Sequence, residues 1–139
     1  MAGTIDMQDL RNLNLFGQIT RISTRFCFRY NETIFFCVPR RLVSKAVGEN
    51  GKNVRKINEI LGKRIRIIPN PEGIHDAREF IKDIINPVNF KSLEFNNREI
   101  TITPGNMQNK AALMGRHKRR LLELEKIVKD YFNRELRIA

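Results

Sequence analysis

The chain has no tryptophan, only two cysteines and two histidines, and 15 acidic residues against 26 basic ones. Without tryptophan, and with 9 Phe and 2 Tyr, aromatic stacking is not its main resource for binding. Cys27 and Cys37 are too few for a disulfide framework, and they lack the His/Cys company of a zinc site. Reduced thiols in a reducing cytoplasm are expected. If the two lie on adjacent strands, a cross-strand disulfide is the alternative. His75 and His117 stand far apart and have no evident catalytic companion. No apolar run approaches the roughly 18 residues of a membrane span. The start, Met1-Ala2-Gly3-Thr4-Ile5-Asp6, lacks the basic and apolar segments of a secretory signal. A cytoplasmic protein with no membrane partner is therefore expected.

Catalytic signatures are scarce as well. There is no nucleotide P-loop and no activated nucleophile. Asp76, Glu79 and Asp83 recur at helical spacing, as a metal-dependent nuclease would require. Their alternation with Arg78 and Lys82 reads better as a charged, solvated helix face. The sequence predicts no enzyme, no cofactor and no metal.

What is abundant is positive charge. Net charge is +11 and the pI about 10.3, with bases spread through all 139 residues rather than gathered in a tail. That balance favours a polyanionic partner, most simply nucleic acid, over a merely soluble basic surface. The apolar share of 41% is compatible with a packed core. One segment concentrates the chemistry: Ala46-Val47-Gly48-Glu49-Asn50-Gly51-Lys52-Asn53-Val54, a Gly-x-x-Gly turn between two apolar helical stretches. Glycine lets a sugar-phosphate backbone approach closely, and the second glycine stands where a helix begins, an end that attracts phosphate.

The order of elements recurs. The pattern predicts a helix over 4–13, a strand pair over 18–30 and 33–38 joined at Asn31-Glu32, and a short helix over 40–47. After the turn come a helix over 52–61 stopped by Gly62 and a strand over 63–68. Val54, Ile57, Ile60 and Leu61 share one face of that helix. Pro69-Asn70-Pro71-Glu72-Gly73 breaks the pattern, and a second pass follows. Helix 75–85, hairpin 90–95/99–103 around Asn96-Asn97, helices 106–114 and 118–132 and strand 134–138 repeat the order. Gly48 matches Gly115 and Val54 matches Leu121, both 67 positions on, whereas Ile65 matches Leu136, 71 positions on. The last helix of the second pass is thus one turn longer. Two modules result, 1–71 and 72–139. The proline-bearing linker is short and stiff, so they are expected to pack together.

The segment Val47-Gly48-Glu49-Asn50-Gly51-Lys52-Asn53-Val54, set between two helices after a strand pair, resembles the signature of KH RNA-binding domains. A leading helix and a closing strand resemble the type II arrangement. Two modules in tandem, with Asn86-Pro87-Val88 closing the helix that opens the second, resemble the KH pair of the NusA transcription factors, as does Lys63-Arg64-Ile65-Arg66-Ile67-Ile68-Pro69. The resemblance spans nearly the whole chain. It implies an α+β fold of two tandem type II KH modules, each a small three-stranded sheet covered on one face by helices. It implies single-stranded RNA as the partner, with RNA polymerase or ribosome-associated complexes as further candidates. By the same resemblance the process is transcription elongation or termination. Ribosome assembly, RNA processing, or a KH scaffold acting as a protein-interaction adaptor are the alternatives. Bacterial NusA carries polymerase-binding and OB-type domains ahead of its KH pair. Neither is present here, so a stand-alone, archaeal-type form is expected.

Residue by residue, the RNA site implied by the resemblance comprises Lys45, Val47, Gly48, Glu49, Asn50, Gly51, Lys52, Asn53, Arg55 and Lys56, with Arg64 and Arg66 on the following strand. Glycines between helices also serve as simple caps, and Glu49 would repel phosphate. Val47, Val54, Ile65 and Ile67 are expected mostly in the core, the alternative being an apolar floor for bases. The second module contributes Lys110, Gly115, Arg116, His117, Lys118, Arg119 and Arg120. Its turn reads Gly115-Arg116-His117-Lys118 and lacks the last glycine, so it is expected to supply charge without a close-fitting turn, as an auxiliary contact. Arg21, Arg25 and Arg29 share a strand face opposite Phe26, Phe28 and Tyr30, and Arg64 and Arg66 share one opposite Ile65 and Ile67, a candidate second track of phosphate contacts. If helices cover the phenylalanine side, they form a basic stripe on the exposed face; a solvated face is the alternative.

Overall fold

A computed structural model describes residues 6–139. The chain is α+β, with two three-stranded mixed sheets and KH-like element order in each half. Internal contacts divide it between Asn70 and Pro71. Among the described residues no helix is long and apolar enough to cross a membrane.

The first unit runs α1 (Met7–Thr20), β1 (Phe26–Tyr30), β2 (Thr33–Val38), α2 (Val43–Val47), α3 (Lys52–Leu61) and β3 (Arg64–Pro69). The expected helix over 4–13 begins partly outside the described residues, at Thr4 and Ile5. Where described, it is longer than expected. Asp6 caps it by accepting from the Asp9 N–H at 2.7 Å, and it continues to Thr20. Residues 18–25 are therefore not strand. Leu13, Phe16 and Thr20 are buried at helical spacing. Gly17 does not break the helix, and Arg21 ends it in the left-handed region at φ 62°.

β1 pairs antiparallel with β2, and β2 parallel with β3. Register places Cys27, Arg29, Ile34, Phe36, Ile65 and Ile67 on one face. That is the helix-covered face: Phe36 stacks on Phe16 of α1 at 4.5 Å, and Ile57, Leu13 and Ala46 close the core around them. Of the apolar face expected on α3, Ile57 is buried and Val54 and Leu61 pack against the core, but Ile60 is 55% exposed. The expected stripe of five arginines does not form. Arg21 and Arg25 are off the strand, the helices cover the side opposite to Phe26 and Phe28, and of the five only Arg64 and Arg66 stand on the face away from the helices. Arg29 lies on that covered side and pairs with Asp6 at 3.4 Å and Asp9 at 3.3 Å on α1. The opposite face carries Phe28, Phe35, Arg64 and Arg66. Phe28 stacks on Phe35 at 5.0 Å, and the Arg66 guanidinium stands 5.3 Å from the Phe35 ring centre.

Cys27 faces the helices and Cys37 the other side, so the cross-strand disulfide is excluded by register; neither cysteine is disulfide-bonded. Burial, helped by the nearby Asp9 carboxylate, pushes the Cys27 thiol from 9.0 up to about 12. Thiolate is the reactive form, so Cys27 should resist alkylation at pH 8 until the chain unfolds. The linkage has a definite sign. Below pH 9 the thiol is neutral in folded and unfolded chains alike. As pH rises toward 12 the unfolded chain ionises first, and this contribution to stability is lost. Cys27→Ala should flatten the alkaline limb of a denaturation series; an unchanged limb would contradict the assignment.

The second unit runs α4 (Ala77–Ile85), β4 (Ser92–Phe95), β5 (Glu99–Thr103), α5 (Met107–Met114), α6 (Arg119–Phe132) and β6 (Glu135–Ile138). α6 has 14 residues against 10 in α3, the extra turn expected from the repeat. Ala77, Phe80, Ile81, Ile84 and Ile85 are the buried face of α4, as their spacing predicts. Phe80 meets Tyr131 and Phe132 of α6 at 5.0 and 5.8 Å. Ile100, Ile102 and Leu136 supply the sheet side of this core.

Candidate nucleic-acid interface

The first turn is built by its backbone. α2 ends at Gly48, whose N–H donates to the Ser44 carbonyl at 3.1 Å. Gly48 adopts φ 84°, ψ 162°, a region that only glycine occupies readily. Asn50 and Gly51 follow in the left-handed region, at φ 56° and 73°. The Gly51 N–H closes the turn on the Gly48 carbonyl at 3.0 Å, and α3 starts at Lys52.

Two side chains brace this path. The Asn53 amide donates to the Ala46 and Lys45 carbonyls at 3.1 and 3.4 Å, tying the start of α3 to the end of α2. Arg55 Nη1 donates to the Asn50 carbonyl and pins the tip from below. A Cβ on Gly48 would stand 3.0 Å from Asn53 and Lys52 atoms, so the brace and the glycine require each other. Both residues were expected at the site, but spacing alone does not disclose that they hold the turn.

Lys45, Glu49, Asn50, Lys52, Arg55 and Lys56 are exposed around this turn. The structure thus gathers four bases and one carboxylate at the N-terminal end of a ten-residue helix. An anion there gains about 0.3–1 kcal/mol from the helix dipole alone, at low salt. Of the four apolar residues weighed as core or floor, Ile65 belongs to the core, Val54 and Ile67 pack against it, and Val47 is half-buried beside the turn. Arg64 and Arg66 are not brought to the turn's side. They project from the sheet face opposite the helices that carry it.

The second turn differs from its expectation. Gly115 adopts φ 73°, ψ 171°, His117 φ 56°, ψ 28°, and Lys118 φ 61°, ψ 22°. These nearly reproduce Gly48, Asn50 and Gly51. The hydrogen bonds repeat too: Gly115 N–H to the Ala111 carbonyl at 2.9 Å and Lys118 N–H to the Gly115 carbonyl at 3.2 Å. The missing glycine has therefore not opened the turn; Lys118 holds a left-handed conformation there, at a cost of roughly 1–2 kcal/mol. Arg116, His117, Lys118 and Arg119 are exposed, and α6 begins at Arg119. Arg120 is the exception. It pairs with Glu123 at 2.8 Å and packs beneath Gly115, so its charge is largely neutralised within the module. Lys110 is half-buried on α5, before the turn.

No family model matches the chain. It is similar to two curated archaeal proteins, both named "Probable transcription termination protein NusA". The one from Methanococcus vannielii is 27% identical over 89 residues, 64% of this chain and 50% of the relative. The one from Methanocaldococcus jannaschii is 30% identical over 81 residues, 58% of this chain and 43% of the relative. The matched stretch thus spans about half the length of these relatives. Among solved structures, that of APE1850 superposes with a TM-score of 0.66 at 22% identity, covering 97% of this chain and 100% of the other. That likeness concerns the fold alone.

Proposed function

We propose that this chain binds single-stranded RNA and acts as a NusA-like factor in transcription elongation or termination. The Gly48–Gly51 turn carries this reading. Its two glycines present no Cβ beside the α3 N-terminus, and four exposed bases surround it. Phosphates lie on the turn and at the start of α3, and bases lie along the groove beside the helix pair. A KH module of this kind clamps about four nucleotides. Phosphate contacts supply most of the affinity and base edges the selectivity. The second turn repeats the geometry with a rim that carries Arg116, Lys118 and Arg119 and no carboxylate, and serves as an auxiliary contact. The partial likeness to the NusA-like proteins supports placing the activity in transcription. The role assigned is grip, not catalysis.

Fluorescent single-stranded RNA titrated at several salt concentrations tests the reading. Log affinity should fall linearly with log salt, by about 0.7 for each phosphate neutralised. A flat dependence, or equal affinity for duplex RNA, would overturn it.

A further inference from the structure

The first unit also holds an open groove of about 710 Å³ that the turn does not use. It runs between α1 and residues 21–25 leading into β1, and its lining includes Leu10, Asn14, Gln18, Arg21, Ser23 and Arg25. Its walls are fixed by hydrogen bonds. The Arg21 N–H donates to the Gly17 carbonyl at 3.0 Å, the Ile22 N–H to the Thr20 hydroxyl at 3.1 Å, and the Thr24 hydroxyl to the Cys37 carbonyl at 2.5 Å. Segment 21–25 is thus held to both the helix and the sheet, and the groove exists before any ligand arrives. Preformed sites avoid an ordering cost on binding.

None of the lining residues is acidic, and two are arginines. Asn14, Gln18, Arg21, Ser23 and Arg25 are all exposed. Amides and hydroxyls offer both donors and acceptors, and guanidinium groups suit phosphate. We infer that this groove is a second contact for single-stranded RNA, with Arg21 and Arg25 on phosphates and the Asn14 and Gln18 amides on base edges. The inference rests on the RNA-binding reading above and extends it to a surface apart from the turn. An acidic peptide is the rival occupant. Peptide anchors are large apolar or aromatic groups in dry pockets. This groove is open rather than dry, and its apolar lining is aliphatic, with no aromatic ring and Leu10, half exposed at 50%, as its most accessible part.

The test compares a tetranucleotide, which fills one clamp, with a dodecanucleotide. Arg21→Ala/Arg25→Ala should weaken the dodecanucleotide about tenfold and reduce its salt slope by about 1.4, two contacts at roughly 0.7 each. Tetranucleotide binding should stay unchanged. Asn14→Asp/Gln18→Glu, on the exposed side of α1, should weaken the dodecanucleotide without touching either arginine. Circular dichroism checks that both variants fold. 4-Thiouridine crosslinks should map within residues 10–25 of the parent protein. Unchanged dodecanucleotide affinity, or crosslinks confined to 45–56 and 116–119, would overturn the groove while leaving the turn reading intact. No binding of either RNA would remove both. If the arginine variant loses binding of a poly-glutamate peptide instead of RNA, the groove is a peptide site and the inference falls.

Discussion

The Glu49→Asp/Asn50→Asp variant is expected to bind single-stranded RNA more than tenfold more weakly than the parent. Asn50 sits at the exposed tip of the first turn in the left-handed region, at φ 56°. Aspartate accepts that conformation almost as readily as asparagine. The glycines, the Asn53 brace and the bond from Arg55 to the residue-50 carbonyl are untouched, so the fold should survive. A neutral amide becomes a carboxylate where phosphate is to lie. Two unit charges 4 Å apart repel by about 1 kcal/mol in bulk water and about 4 kcal/mol near a protein surface. Tenfold needs only about 1.4 kcal/mol. Arg116→Ala/Lys118→Ala/Arg119→Ala should cost less and make the salt dependence shallower, because fewer counterions are released. Circular dichroism must show both variants folded before affinities are compared. If the second-turn variant loses more, the second module carries the principal grip.

Gly115→Ala should lower the stability of the second unit by about 3 kcal/mol, the largest effect expected of any single glycine replacement here. Two causes combine. The φ, ψ pair of 73°, 171° belongs to a region that costs other residues of order 1–3 kcal/mol. In addition, a Cβ would lie 2.5 Å from Arg120 Cγ and 2.9 Å from the Arg120 backbone nitrogen. That nitrogen belongs to α6, and the Arg120 side chain is held by Glu123. Neither can step aside cheaply. Gly48→Ala meets only side-chain atoms, at 3.0 Å, and should cost less. Gly51→Ala meets one guanidinium nitrogen at 3.6 Å and should cost about 1 kcal/mol, the left-handed penalty alone. Urea denaturation of the three variants checks the order. A Gly115→Ala midpoint close to that of the parent would mean that the turn relaxes and the two causes do not operate.

The parts of the fold legible in the sequence were those with hard punctuation. α3 ends where Gly62 stops it, β5 has the residues that alternation assigns it, and α4 ends at Ile85 as its spacing predicts, although it begins at Ala77 and not at His75. The first module's beginning was misread for a physical reason. Thr20, Ile22 and Thr24 alternate with Arg21, Ser23 and Arg25 like a half-buried strand, yet Thr20 turns its hydroxyl back to the Phe16 carbonyl at 2.8 Å and stays helical. Alternation also divides a strand into two faces without saying which is covered. Phe26 and Phe28 look like the core side. Asp6 and Asp9 on α1 make the Arg29 side habitable instead, and the helices settle there. In the site, the first turn was visible because glycine announces it. The second was underestimated because left-handed lysine leaves no mark in composition. The groove along α1 was hidden by the same misreading that turned residues 18–25 into strand.

Lys118 separates two properties that the first turn combines. There, one glycine provides both the bend and the bare surface. Here the bend persists while the surface carries a long cation, so contour and chemistry have become independent variables. The two halves are like sockets cast from one mould, one slim at its rim and the other studded. A Gly51→Lys graft into the first socket would need no backbone conformation that the molecule does not already contain. The chain thus holds, in its second half, a template for retuning its first.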